Sequence, residues 1–301
     1  MYDLVVVGGG PAGLTATIYA IRKRLNVLLV SKDLGGKTNF RLELPGVEVY
    51  QVIRGLDIVT NFRSELEYLD FAHHMEPVER ISRHQDVFAV HARGGDEILT
   101  KTVIIASGTQ HQHLNVPGEK EFLMRGLCYS ALSYAPLFID KTTVVIGDGE
   151  LALRSAAELA TVVEHIYLVG PTSAVLDSVL GKKLKAAENV TVLENYLVTE
   201  ILGKDYAERI VAEGPEGQEA EISADGTFIE LALIPNSKMV TGLVDFDAQG
   251  RIKVDSRNRT SVPGVFAAGD VTDTYAEQVL VAVGEGAKAA LSAYEYLLPT
   301  L

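Results

Sequence analysis

The chain has 301 residues, long enough for two domains of ordinary size, and its 47% hydrophobic and 22% charged residues make a globular composition. Its formal net charge of −13 argues against nucleic acid as a partner, because phosphates call for a basic face. No run approaches the ~18 apolar residues of a membrane span, Leu4–Val7 is too short for a secretory signal, and a lone cysteine, Cys128, excludes an internal disulfide framework. The expectation is a cytoplasmic protein with no membrane or nucleic-acid partner.

Tyr2-Asp3-Leu4-Val5-Val6-Val7 predicts a strand buried on both faces. It runs into Gly8-Gly9-Gly10-Pro11-Ala12-Gly13, then a helical pattern from Leu14 to Arg24, then a second apolar strand over Asn26–Val30. Strand, glycine turn, helix and strand within about 30 residues is the context that gives G-x-G-x-x-G its meaning. Gly8 permits the tight turn, Gly10 lets backbone N–H groups approach a pyrophosphate, and Gly13 lets helix pack close to strand. The helix N-terminus adds its positive dipole end. The motif alone fits NAD or FAD. The acid that such folds often place after the second strand is missing or displaced, since Ser31, Lys32 and Asp33 stand there. Gly35-Gly36-Lys37-Thr38 forms a second glycine turn and Leu44-Pro45-Gly46 a third punctuation point.

His73-His74 and His111-x-His113 have no obvious third or fourth ligand nearby, so no metal is expected. Thr143–Ile146 then predicts a strand leading to Gly147-Asp148-Gly149-Glu150-Leu151-Ala152, a helix to about Val163 and a strand over His165–Val169. This is a second Rossmann unit. Asp148 and Glu150 put two carboxylates inside its phosphate loop, where Glu150 is expected to repel a pyrophosphate. Near the end, Val262–Asp270 reads as a turn, a short strand and an acid, followed by a long helix from Val279 to Leu298. A carboxylate at that strand end suits a sugar-alcohol hydroxyl, and a helix N-terminus near Gln278 suits negative charge on a reduced flavin.

Gly8–Gly13, Gly35-Gly36, Leu44-Pro45-Gly46, Ala106-Ser107-Gly108-Thr109, Val116-Pro117-Gly118-Glu119, Pro235-Asn236 and Gly264–Val271 carry a resemblance. Their order and spacing resemble the low-molecular-weight thioredoxin reductase family over essentially the whole chain. The resemblance implies an α/β fold of two Rossmann-like (three-layer ββα/FAD-NAD(P)-binding) domains, the second inserted into the first. An FAD domain is expected at about 1–113 and 239–301, an inserted domain at about 114–238, and a homodimer. Gly8, Gly10, Pro11, Ala12 and Gly13 would meet the FAD pyrophosphate. Ser31, Lys32, Gly35, Gly36, Lys37 and Thr38 would line the adenosine side. Asp270, next to Gly269, would hold the ribitol, and Gln278 and Val279 would meet the flavin ring. Asn39, Gly46, Val78, Ala106, Ser107 and Gly108 complete the implied FAD contacts.

Against the family pattern, the Cys-x-x-Cys pair reads Ser130-Ala131-Leu132-Ser133. Serine forms no disulfide and an unassisted hydroxyl is a poor nucleophile, so disulfide reduction by the family mechanism is not expected. Cys128, two residues upstream, reads as a small buried filler. The arginines that grip the NADPH 2′-phosphate in the family are replaced along Gly170-Pro171-Thr172-Ser173-Ala174-Val175-Leu176. Losing two of them costs about 3–6 kcal/mol, or on the order of 10²–10⁴ in affinity. No acid at Val169 or Gly170 favours NADH instead. Glu277-Gln278-Val279 stands where the family shows Arg-Gln-Ala.

These departures imply an FAD-containing oxidoreductase whose flavin is reduced by a ferredoxin-like protein. Arg22-Lys23-Arg24 and Lys182-Lys183-Lys185 are candidate docking patches. The alternatives are a ferredoxin–NAD(P) reductase type using NADH weakly, or a non-catalytic flavin-binding module. The first alternative usually carries a C-terminal aromatic extension, which Leu298-Pro299-Thr300-Leu301 does not supply. No catalytic acid, base or nucleophile is assigned.

Overall fold

A computed structural model of the chain describes residues 1–46, 56–69 and 72–301. These form two compact units: 1–39, 56–69, 72–110 and 234–301 make the first, 40–46 and 111–233 the second. The family resemblance places 40–46 in the first domain. The structure instead buries Leu42 and Leu44 in the core of the second unit, and the Glu43 amide donates to Met124 O at 2.8 Å. The reason is packing: two leucines at alternating positions find an apolar wall there.

The first unit is built on a seven-stranded sheet. Tyr2–Val7 lies between Val27–Val30 and Glu97–Ile105, parallel to both, with Val5 opposite Leu28 and Val103. The late half of Glu97–Ile105 also pairs in parallel with Val265–Ala267, so a segment from the far end of the chain completes the sheet. Val78–His84 and Val87–Ala92 extend it as an antiparallel meander.

The alternation of the opening strand sorts its side chains onto two faces. Leu4 and Val6 join Leu14, Ile18, Ile104 and Phe266 on the helical side. Val5 and Val7 face Val240, Val244, Ile252 and Val271 on the other. The helices Pro11–Arg22 and Val279–Leu297 pack on the first face. They touch backbone to backbone, since a Cβ on Gly286 would stand 2.1 Å from Ala12 O.

The second unit has three layers. Its five-stranded parallel sheet runs Val190–Leu193, His165–Val169, Thr142–Ile146, Gly226–Ile229, Leu127–Cys128. Helices Glu150–Leu159 and Val179–Lys185 cover one face through Leu153, Ala156, Leu159 and Leu184. An antiparallel sheet of Leu197–Gly203, Ala207–Glu213 and Glu219–Ser223 covers the other through Ile201, Ile210 and Ile222. A parallel sheet built from βαβ units, with helices on one face and a small antiparallel sheet on the other, is a three-layer ββα variant of the Rossmann arrangement.

Candidate functional site

The first glycine turn separates into positions that serve the fold and one that faces open space. Gly8 has φ +110°, and a Cβ on Gly13 would stand 1.7 Å from Gly8 O, so both are required for strand and helix to meet. A Cβ on Gly10 would meet nothing within 4 Å. Gly10 is the N-cap of Pro11–Arg22, no side chain caps that helix, and its first turn holds no acid. Uncapped amides beside open space are what a pyrophosphate needs.

The second glycine turn is docked on the first. The Gly35 amide donates to Gly9 O at 2.7 Å, and a Cβ on Gly36 would stand 3.1 Å from Gly10 Cα. Ser31 is buried and its hydroxyl is spent inside this junction, accepting from the Gly9 amide at 2.8 Å and donating to Asp33 O at 2.7 Å. Asp33 Oδ1 accepts from the Gly36 amide. Thr38 is buried and donates to Gly35 O, Asn39 bonds Leu34 O and Arg63, and Lys32 is exposed.

Lys37 reaches further. Its Nζ lies 2.6 Å from Asp270 Oδ2 and 2.9 Å from Thr109 Oγ1, bringing three distant segments together. Asp270 follows Gly269, which has φ +77° and whose amide donates to Glu285 Oε2 at 2.8 Å. Glu285 Oε1 also accepts from Thr274 Oγ1, so this acid of the last helix shapes the 269–274 turn. Gln278 is the exposed N-cap of the last helix, and Val279 packs partly into the helical-side core. The Glu277 carboxyl is pushed above the usual range, first by burial and then by Asp270, with Lys37 and Arg251 partly offsetting this.

Ala106 is buried beneath Gly8. Ser107 Oγ donates to Asn236 O at 2.7 Å while Asn236 Nδ2 donates to Ser107 O at 3.0 Å, and the Asn236 amide donates to Gly108 O. Val78 opens its strand opposite Ala92 and is partly buried. Gly46 has φ +69° and belongs to the second unit. Thr109, Asn236 and Glu285 escape the sequence reading as site residues. Only Thr109 and Asn236 lie in its motifs; nothing local marks Glu285.

In the second unit, Ser130 Oγ and Ser133 Oγ are 2.8 Å apart. The Ala131 amide between them donates to Oε1 of the buried Glu230 at 2.7 Å. Cys128 is buried in a strand, and burial above all pushes its thiol up, with the Glu230 charge adding to the effect. Gly147 is crowded, because a Cβ there would stand 2.3 Å from Glu230 O, whereas Gly149, the helix N-cap, faces open space. The sequence predicts that Glu150 opposes a phosphate there. Its side chain is 74% exposed and pairs with Arg154 one helical turn on, at 2.9 Å, and Asp148 is exposed as well. Such an i,i+4 pair is a helix-surface contact.

Beside this lies a polar cluster on the chain entering the second unit. Glu119 accepts from the Asn115 amide at 2.6 Å, the Leu114 amide at 3.1 Å and the Tyr129 hydroxyl at 2.9 Å. His113 Nδ1 is 2.6 Å from that hydroxyl, and His111 stacks on the Tyr129 ring. Burial draws the Glu119 carboxyl upward, but these bonds outweigh it and hold it below the usual range. His73 and His74 sit on a strand beside Leu29 and Val30. Among the described residues no group of three or more potential metal ligands occurs, and no helix is long and apolar enough to cross a membrane.

Two units of Rossmann type, each with a crowded glycine and an open glycine at a helix N-terminus, define a protein with two dinucleotide-binding folds. Residues 2–286 match the pyridine nucleotide-disulphide oxidoreductase family, and the chain belongs to it. The chain is 34% identical over 311 residues to a Pseudomonas putida alkyl hydroperoxide reductase (its F subunit) and 33% identical over 300 residues to a Bacillus subtilis NADH dehydrogenase. Each match covers 99% of this chain but 59% of the relative, so the chain spans about three-fifths of their length. It also resembles the thioredoxin reductase of Streptococcus pyogenes, with 30% identity, a TM-score of 0.86 and 99% coverage of both chains. The family's cofactor is FAD, and the open cradle at Gly10 fits its pyrophosphate.

Proposed function

We propose that this chain is an FAD-dependent oxidoreductase that performs no dithiol–disulfide step and takes its electrons from NADH at the second unit. The observation that carries the first half is the 2.8 Å hydroxyl contact of Ser130 with Ser133 where the resemblance places a cysteine pair. A serine pair has no redox couple, and the buried, thiol-form Cys128 supplies no substitute nucleophile. Bound FAD supplies two-electron acceptance and release. The chain's own part is to hold the pyrophosphate at Gly10 and the Pro11 helix end, the ribitol at Asp270, and the ring near Gln278 and Val279.

For the donor, the outward Glu150–Arg154 pair supports a nucleotide at Gly149, and the loss of cations over 170–176 disfavours a 2′-phosphate. The name of the Bacillus subtilis relative accords with NADH. A second reading keeps the ferredoxin-like donor. It is favoured by a likeness to a ferredoxin–flavin thioredoxin reductase of Clostridium acetobutylicum, at 27% identity and a TM-score of 0.51 over 99% of this chain and 98% of that one. Its docking patches are partly engaged, however: Arg22 pairs with Glu65, Lys23 lies over Tyr294, and Lys185 pairs with Glu194. Anaerobic titration separates the two. NADH is expected to bleach the flavin rapidly; bleaching by reduced ferredoxin with none by NADH selects the second reading. From the family resemblance we also propose a homodimer, checked by sedimentation against the 32.5 kDa chain mass.

A further inference from the structure

Neither residue at the end of the second strand of the inserted Rossmann unit is able to present an acid. Val169 is fully buried. Gly170 has φ +96°, and a Cβ on it would stand 3.2 Å from Tyr196 O, because the chain after the neighbouring strand crosses over it.

That neighbouring strand supplies what is missing. Val190–Leu193 pairs in parallel with His165–Val169, with Leu193 opposite Val169. The Gly170 amide donates to Leu193 O at 3.0 Å, and the Asn195 amide donates to Pro171 O at 3.0 Å. Glu194 lies between these two bonds, so sheet register sets it alongside Gly170. Its carboxylate accepts from Ser173 Oγ through Oε1 and pairs with Lys185 Nζ through Oε2 at 3.0 Å. These two hydrogen bonds, Ser173 first, hold the carboxyl below the usual range, so it is charged at neutral pH.

We propose that Glu194, with Ser173, forms the adenosine-ribose clamp of the second unit and makes it select dinucleotides with a free 2′-hydroxyl over 2′-phosphorylated ones. A carboxylate accepts hydrogen bonds from ribose hydroxyls, whereas a phosphate dianion at the same point meets like charge. Ser173, now donating to Glu194, orients that carboxylate; Lys185 balances its charge from the side. This rests on the reading that the second unit takes a nicotinamide dinucleotide.

The test is calorimetric binding of two redox-inert probes, ADP-ribose and 2′-phospho-ADP-ribose, to the FAD-loaded full chain. The wild type is expected to favour ADP-ribose at least ~10-fold, and Glu194→Gln to weaken it about ten- to a hundred-fold and bring the two affinities together. Ser173→Ala is expected to lower ADP-ribose affinity several-fold while keeping the preference. Equal affinities in the wild type, or an unchanged ratio in Glu194→Gln, overturn the clamp even if NADH reduces the flavin. If the wild type binds neither probe at millimolar concentration, the clamp and the NADH donor both fail. A Glu194-dependent preference without flavin reduction by NADH sustains the clamp and removes only the donor.

Discussion

Lys37 and Asp270, one in the second glycine turn and the other 233 positions later (270 − 37), meet as an ion pair with Nζ 2.6 Å from Oδ2. Their side chains are 34% and 14% exposed, so the pair is partly buried and screened less than a surface pair. Asp270→Ala is expected to cost about 1 kcal/mol, a few degrees in melting temperature, and, if Asp270 holds the ribitol as proposed, to weaken FAD about ten- to a hundred-fold. Flavin content after dialysis and a fluorescence titration of the apoprotein check this. Full retention of flavin by the variant shows that Asp270 does not hold it.

Gly10 and Gly13 are separated by the same logic. Gly13→Ala forces a Cβ to 1.7 Å from a backbone oxygen that has nowhere to move, and a loss of about 3 kcal/mol or more is expected. Gly10→Ala meets nothing in the protein, so the variant should fold normally and bind FAD poorly. Melting curves and flavin absorbance together decide. A Gly10→Ala protein that retains its flavin contradicts the cradle.

The serine pair predicts a gain of chemistry. With the hydroxyls already 2.8 Å apart, Ser130→Cys with Ser133→Cys should close to a disulfide under mild oxidation. Thiol titration checks it. The oxidised double variant should show one thiol on denaturation, the buried Cys128, and none while folded. Two additional free thiols after oxidation refute this geometry.

Glu119 predicts a pH dependence. Its folded carboxyl is held below the ordinary value, so its contribution is complete above the unfolded pKa of about 4.3 and lost as pH falls through the lowered value. Glu119→Gln should therefore cost about 1–3 kcal/mol at pH 7, by removing the charged acceptor for two amides and Tyr129. The gap between the two proteins should narrow on acidification. Chemical unfolding at a series of pH values measures it, and a gap that widens in acid contradicts the assignment.

The glycine turns and the two Rossmann units were legible in the sequence. Strand, turn and helix N-terminus are set by neighbouring residues. Which side chains face the ligand was not legible. Ser31 and Glu150 read as ligand-facing groups in the sequence; in the fold one turns inward to Gly9 and the other outward to Arg154. The pairing of Lys37 with Asp270, the capture of Gly269 by Glu285 and the alignment of Glu194 with Gly170 depend on helix packing and strand register between segments far apart in the chain. A register is chosen by the whole buried face of a sheet at once. Local pattern set two glycine turns at helix N-termini, and tertiary structure decided which charges surround them.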